Sequence, residues 1–458
     1  MKSRDSHLTQ SDLFAWNMEH NPILRSTIVA VLVLDAEPDR QQLAEILERA
    51  TRLVPRLRQV LNRTPLGLTP PRWTPDPCFD LSWHMRRIAV PPPHEVPTVL
   101  EFAATEITTA FDPVRPLWTF TVLTGLDEGR CAAVVKMHHS LTDGIGGIQI
   151  AQALLALPHG RDLPDHGATG TEPARGVVGD ILAWQWSTGY GLMRGGFVAA
   201  ATGTRRAMRD PVGAARDGIR IGLSLARFAR PVRSTRSPVM TGRGLGRRLL
   251  VRDIPLADLS AAAQRAGCTL NDAYLAALLL ALRDYHTRHG VEVPALRTTM
   301  PISVRSADDD IGGNHITLAR FDLPTDIDDP IELMRAVHRV VDRWRREPAI
   351  GWSEALAAMF NRLPNAVLAD MLAHVDFVAS NVPGSPVPLH LAGAEIRRLY
   401  AFAPTLGAAF NAALVSHVDT CHIGIDLDTT AVSDPDTFAA SLDAGLHMLL
   451  AAPATARE

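Results

Sequence analysis

The run Ser26–Leu34 is apolar and rich in β-branched residues and closes on Asp35, which predicts a strand. From Arg40 the period changes. Leu43, Ile46, Leu47 and Ala50 recur at helical steps, so a helix with one apolar face follows. Val99–Thr109 predicts a second helix, and Leu117–Leu123 and Cys131–Met137 predict two strands joined by a turn through Gly125–Gly129. Ile145–Leu157 predicts a helix stopped by Pro158.

Beyond this mixed α/β block, residues 159–176 are rich in Gly, Pro and Asp and read as a loop. Residues 177–230 read as helical and increasingly basic, and 231–247 form a link rich in Pro, Gly, Arg and Ser. The α/β alternation then returns. Leu249–Asp253 predicts a strand, Leu256–Ala266 a helix stopped at Gly267, and Thr269–Leu270–Asn271–Asp272 a capping box. The helix opened by that box carries Ala273, Leu275, Leu278, Leu279, Leu280 and Leu282 on nearly every side, which predicts a buried central element. Further helices are expected near 331–347 and 435–451, and strands near 295–304, 315–322 and 420–427. The resulting partition is an N-terminal lobe over 1–159, a helical crossover over 160–247 and a C-terminal lobe over 248–458. The repeated order of strand, Asp and helix hints that the lobes share one fold.

The 458 residues are 46% hydrophobic and 21% charged, which excludes disorder as the main state. Cys78, Cys131, Cys268 and Cys421 are far apart and form no CxxC pair, as expected of a cytoplasmic protein without a disulfide scaffold. The N-terminus has no apolar signal region, and no run approaches the ~18 apolar residues of a membrane span. Net charge is −3, yet between Arg194 and Arg248 there are 13 arginines against Asp210 and Asp217, a local net of +11. Such a stretch suits a membrane surface, nucleic acid, an anionic ligand or only solvent.

The sharpest chemical signal is His138–His139–Ser140–Leu141–Thr142–Asp143–Gly144, which follows an apolar strand. Adjacent histidines at a strand end point opposite ways, so one can face a cleft while the other packs. A group titrating near neutrality suits proton removal from a hydroxyl during acyl transfer. The same segment is compatible with an N-cap at Asp143, with loop histidines, or with part of a metal site, although no HExxH or similar spacing completes one. There is no GxSxG elbow and no Walker loop, and Gly242–Arg243–Gly244–Leu245–Gly246 precedes a strand rather than following one.

These residues resemble the HHxxxDG motif of the bacterial wax ester synthase/diacylglycerol acyltransferase family, a branch of the coenzyme A-dependent acyltransferases that includes peptide-synthetase condensation domains. Pro116–Leu117–Trp118 is similar to the family's PLW element, and Asn271–Asp272 to its ND motif. Pro301–Ile302–Ser303–Val304–Arg305 with Gly313–Asn314 resembles the PxSxR and GN segments, and Ser380–Asn381–Val382–Pro383–Gly384 the SNVPG loop. The opening LTQSDLFAW and Trp73, Asp76, Phe79, Asp80 and His84 also fit. Departures are Thr119 for an acidic residue, His417 for a tyrosine, Pro238 and Gly242 without the family's asparagine, and Leu24–Arg25–Ser26–Thr27 for an MHxG-like segment.

The resemblance implies two chloramphenicol acetyltransferase-like lobes, joined by the crossover, with a tunnel between them. It implies transfer of a fatty acyl group from acyl-CoA, as co-substrate, to a fatty alcohol or diacylglycerol. His139 is expected as general base, His138 as its support, and Asn271 as a donor to the oxyanion. Asp143 is expected to order the loop, with Arg305 as a candidate ion-pair partner. Gly144, Pro116, Leu117, Trp118, Asp272, Ser380 and Asn381 are expected around the substrates. No metal, cofactor, covalent intermediate or nucleic acid is expected; a membrane face or lipid droplet is an expected partner. A carrier-protein donor, a specialised alcohol and a non-catalytic lipid-binding role remain alternatives.

Overall fold

A computed structural model describes residues 7–64, 68–143, 146–147, 210, scattered positions over 212–227, 232–303, 316–347, 350 and 353–453. Fourteen strands are defined among them: β1 Thr27–Leu34, β2 Gln59–Asn62, β3 Arg72–Pro75, β4 Met85–Ala89, β5 Trp118–Thr124, β6 Cys131–His138, β7 Arg247–Pro255, β8 Ala295–Ser303, β9 Ile316–Pro324, β10 Phe377–Val382, β11 His390–Leu391, β12 Ala394–Phe402, β13 Phe410–His417 and β14 Thr420–Asp428. All but β2 and β3 build two six-stranded sheets, in the orders β11-β12-β1-β6-β5-β4 and β7-β14-β13-β10-β8-β9. The fold is α/β with two sheet-centred lobes, as expected.

The helices are α1 Gln10–Met18, α2 Arg40–Leu53, α3 Leu81–His84, α4 Val96–Thr108, α5 Leu256–Ala266, α6 Leu270–Arg288, α7 Pro330–Arg345, α8 Ser353–Phe360, α9 Asn365–Leu372 and α10 Pro435–Ala451. Of these, α2, α4, α5, α6, α7 and α10 form where the sequence predicts a helix, and α1, α3, α8 and α9 add to that expectation. In α2 the predicted stripe of Leu43, Ile46, Leu47 and Ala50 is buried. Gly267 ends α5 at φ 68°, the left-handed position that a β-carbon disfavours. Thr269 and Asp272 close the capping box of α6, whose apolar residues are buried all round. Close approach of α10 to α6 depends on Gly445, where a β-carbon would lie 2.5 Å from the Ala281 nitrogen.

Sheet membership does not follow the linear partition. β11 and β12 lie within residues 248–458, yet β12 pairs antiparallel with β1, from Val29 with Phe402 to Leu34 with Ile396. The first sheet is therefore completed by the last third of the chain. The sheets meet along β12 as well: Tyr400 on β12 donates its hydroxyl to Asp253 Oδ1 on β7 at 2.9 Å, and His422 Nδ1 on β14 lies 2.7 Å from the same oxygen. The SNVPG segment is also only partly a loop, since Ser380, Asn381 and Val382 pair in parallel with β13. The helix expected over 145–157 is described only at 146 and 147, both helical, and residues 160–209 of the crossover lie outside the described residues.

Candidate active site

Strand β6 lies between β1 and β5, so its final residues are held from both sides. The His139 amide donates to Ser26 O at 2.8 Å, and the His138 amide to Leu117 O at 3.0 Å. Alternation along the strand then sends the two imidazoles apart.

His138 points inward and is fully buried. The Ser140 amide donates to its Nδ1 at 3.1 Å, and the Ser140 hydroxyl lies 2.8 Å from the same nitrogen. An Nδ1 that accepts an N–H places the ring proton on Nε2, which faces Glu19 Oε2 at 3.5 Å. Trp16 and Phe111 pack edge-on against the ring, with centroids at 5.6 and 5.9 Å. His138 is thus a packed, oriented scaffold group. Glu19, which carries the other end of this arrangement, was not suggested by any motif.

His139 is half-buried, with Nδ1 enclosed and without a hydrogen-bond partner among the described residues. Burial pushes its pKa below the ordinary histidine value, opposed mainly by the carboxylate of Asp143. The imidazole is accordingly neutral at neutral pH, the form that can accept a proton. Asp143 is buried, and its Oδ1 accepts the Gly146 amide at 2.7 Å, so it does act as a cap on the following turn. Gly144 and Arg305 lie outside the described residues, as do Gly313 and Asn314.

The PLW element takes a packing role. Leu117 and Trp118 are 1% and 4% exposed in the core of the first lobe, and the Trp118 indole donates to Leu57 O at 2.8 Å. His84 stacks on Trp118 with centroids 4.5 Å apart. Pro116 is buried, and its carbonyl accepts the Trp118 amide at 2.9 Å. Leu117 and Trp118 thus make core contacts at the start of β5, inside the sheet-helix sandwich.

On the second lobe, Asn271 is buried at the start of α6, with Nδ2 4.0 Å from Met300 Sδ on β8. The Asp272 carboxylate is engaged within its own lobe: its Oδ2 accepts from the Thr269 amide at 2.9 Å and hydroxyl at 2.7 Å, and lies 2.8 Å from His338 Nδ1 on α7. Cys268 approaches the same carboxylate, which makes Cys268, Asp272 and His338 a grouping of metal-ligating types within 4.8 Å. The carboxylate is already engaged by the helix cap. Ser380 is buried and Asn381 half-buried at the C-terminal end of β10. Gly384 after them is required by close approach, since a β-carbon would overlap Ser416 O on β13.

A family model for the wax ester synthase/diacylglycerol acyltransferase catalytic domain matches residues 8–274, and the model for the C-terminal domain of the same family matches 312–450. The chain belongs to the wax ester synthase/diacylglycerol acyltransferase family. A Mycobacterium tuberculosis protein that bears a provisional diacylglycerol O-acyltransferase name is 35% identical over 94% of this chain and 89% of its own. The probable diacylglycerol O-acyltransferase tgs1 of that organism is 29% identical over 97% and 96%. Among solved structures, the wax ester synthase/diacylglycerol acyltransferase of Marinobacter aquaeolei VT8 matches with a TM-score of 0.63 at 22% identity, covering 97% of this chain and 98% of that one. The first condensation domain of the calcium-dependent antibiotic synthetase matches at 0.62 and 15%, covering 99% and 98%. Both share the fold. The chain is thus a member of an acyltransferase family, and the histidine segment at the end of β6 is its HHxxxDG motif.

Proposed function

We propose that this family member is an O-acyltransferase that moves a fatty acyl group from acyl-CoA to the hydroxyl of a long-chain alcohol or diacylglycerol, giving a wax ester or triacylglycerol. The observation that carries the reading is the state of His139: a half-buried imidazole at a strand end, kept neutral by burial, beside a buried carboxylate. An alcohol is a weak nucleophile at neutral pH, so proton removal must accompany its attack. With Nδ1 enclosed, the hydroxyl proton passes to Nε2 as the oxygen bonds to the thioester carbonyl carbon. The tetrahedral intermediate collapses by breaking the C–S bond, and the proton returns from Nε2 to the leaving thiolate. Asn271 is the proposed donor to the oxyanion, reaching it once substrate occupies the space between the lobes.

Acceptors of this class dissolve in lipid rather than water, so the reading places the enzyme at a cytoplasmic membrane face or droplet surface. No helix among the described residues is long and apolar enough to cross a membrane. The test is a panel of acyl-CoA donors against fatty alcohols and diacylglycerol, with products identified by mass. Ester formation that disappears in His139→Ala supports the reading. Transfer only from acyl carrier protein reassigns the donor, and lipid binding without turnover in wild type removes the enzymatic reading.

A further inference from the structure

The face where the crossover meets α7 combines two features that no part of the reaction uses. Positions 212, 216, 219, 220, 223 and 227 are helical. Val212, Ile219 and Leu223, spaced seven and four apart, are 58%, 64% and 58% exposed. Arg216, Arg220 and Arg227, spaced four and seven apart, form a second stripe directly beside them and are exposed too. Helical positions that show apolar side chains to solvent beside arginines are the pattern of an element lying in a membrane interface.

The second feature is a cleft of about 530 Å³ between this segment and α7. It is lined by Arg220, Arg227, Arg339, Arg343 and Arg346 against only Asp342 and Glu347. Arg227 is held by Glu347 at 2.9 Å and Arg346 by Asp342 at 2.9 Å. Arg220, Arg339 and Arg343 have no ion-pair partner among the described residues. The segment is fixed to α7 through Glu347, which also accepts from Ser224 Oγ, so stripe and cleft form one continuous face.

We propose that this face docks on an anionic phospholipid surface, with Val212, Ile219 and Leu223 entering the acyl boundary and Arg220, Arg339 and Arg343 taking lipid phosphates. The inference deepens the proposed function by naming the side of the molecule that meets the lipid phase. Charge complementarity selects the occupant: a free phosphate would use the cleft but leave the exposed apolar stripe unexplained, whereas a lipid interface satisfies both. The location differs from the one a count of arginines suggests. Within Arg194–Arg248, Arg236 pairs with Asp322, Arg248 with Asp436 and Arg247 with Asp426 and Asp428, while Arg243 donates to Met240, Gly242 and Val375 carbonyls. These four serve the fold. Arg339 and Arg343 on α7 lie outside that stretch, and Arg220 lies within it.

Binding of the full chain to vesicles of phosphatidylcholine alone, and of phosphatidylcholine mixed with phosphatidylglycerol, tests the assignment. Wild type should sediment with the mixed vesicles and lose binding as salt rises. The triple variant Arg220→Gln/Arg339→Gln/Arg343→Gln should bind them about a hundredfold more weakly, at roughly a fivefold loss per basic residue. Val212→Ser/Ile219→Ser/Leu223→Ser should also weaken binding, but without changing its salt dependence. Both variants should keep wild-type melting temperatures and wild-type turnover on a short, water-soluble alcohol, which separates this proposal from the acyltransferase reading. Unchanged vesicle binding in the arginine variant overturns it, and so does equal binding of wild type to neutral vesicles. If that variant instead raises only the KM for acyl-CoA, the cleft serves a soluble phosphate and the lipid-docking assignment is wrong.

Discussion

Arg56 Nη1 donates to the carbonyl oxygen of Ser140 at 3.2 Å, tying the turn Pro55–Arg58 just before β2 to the centre of the HHxxxDG segment. The same nitrogen reaches Asp12 Oδ2 at 3.2 Å, and the guanidinium lies over the Trp73 ring at 5.4 Å. Asp12 is buried in the first turn of α1, where burial pushes its carboxyl up and Arg56 opposes the rise. The N-terminal helix thereby holds the histidine loop through one cation.

Arg56→Gln should cost about 1–3 kcal/mol, the range for losing hydrogen bonds to a charged group. Turnover should fall with it, because Ser140 also orients His138. Adding Asp12→Asn should restore most of the melting temperature but not the rate. Normal kcat in Arg56→Gln, measured by product formation, would show that the link supports only the fold.

His139→Ala should lower kcat by about 10²–10⁴-fold, the usual contribution of a positioned general base, with the fold intact. His138→Ala should act differently. It removes a fully buried ring packed by Trp16 and Phe111, so melting temperature should drop by an amount equivalent to about 2–5 kcal/mol. The reverse order of rate loss would exchange the two assignments.

The acid limb of kcat/KM against pH should lie below the ordinary histidine value, because burial lowers the His139 pKa and a base must be neutral to act. The Asp143 carboxylate stabilises the imidazolium, so Asp143→Asn should move that limb further toward acid. It should also lower stability by about 0.5–2 kcal/mol through the weakened cap at Gly146. A limb that shifts toward higher pH in Asp143→Asn would be incompatible with this electrostatic arrangement.

Gly424 on β14 sits against Ala401 on β12, where a β-carbon would overlap the Ala401 carbonyl oxygen. Gly424→Ala must push the two sheets apart at their junction and should cost about 1–3 kcal/mol, typical of overpacking in a close contact. Denaturant titration reads this directly. A melting temperature equal to wild type would mean that the junction yields without cost.

Local signals in the sequence determined much of this protein. The helical period set α2, the Thr269–Asp272 box and the stop at Gly267 bounded α5 and α6, and the apolar runs located β1, β5, β6, β7 and β14. Each of these depends on residues within a few positions of one another, so periodicity and capping chemistry suffice. The opposite facing of the histidine pair at the end of β6 was equally legible from strand alternation, whereas which of the two serves as base was expected from the family resemblance. Sheet membership was a different matter. The pattern of β12, with Ala394, Ile396, Tyr400 and Phe402 buried, says that it is a strand but not that it completes the first sheet beside β1. Backbone pairing over more than 360 residues depends on groups that every residue carries. Tertiary structure also decided that Trp118 packs against His84 and bonds to Leu57, that Asp272 meets both a helix cap and His338, and that Glu19 and Arg56 reach the histidine segment. Those contacts join side chains far apart in the sequence of each lobe, and no local spacing encodes them.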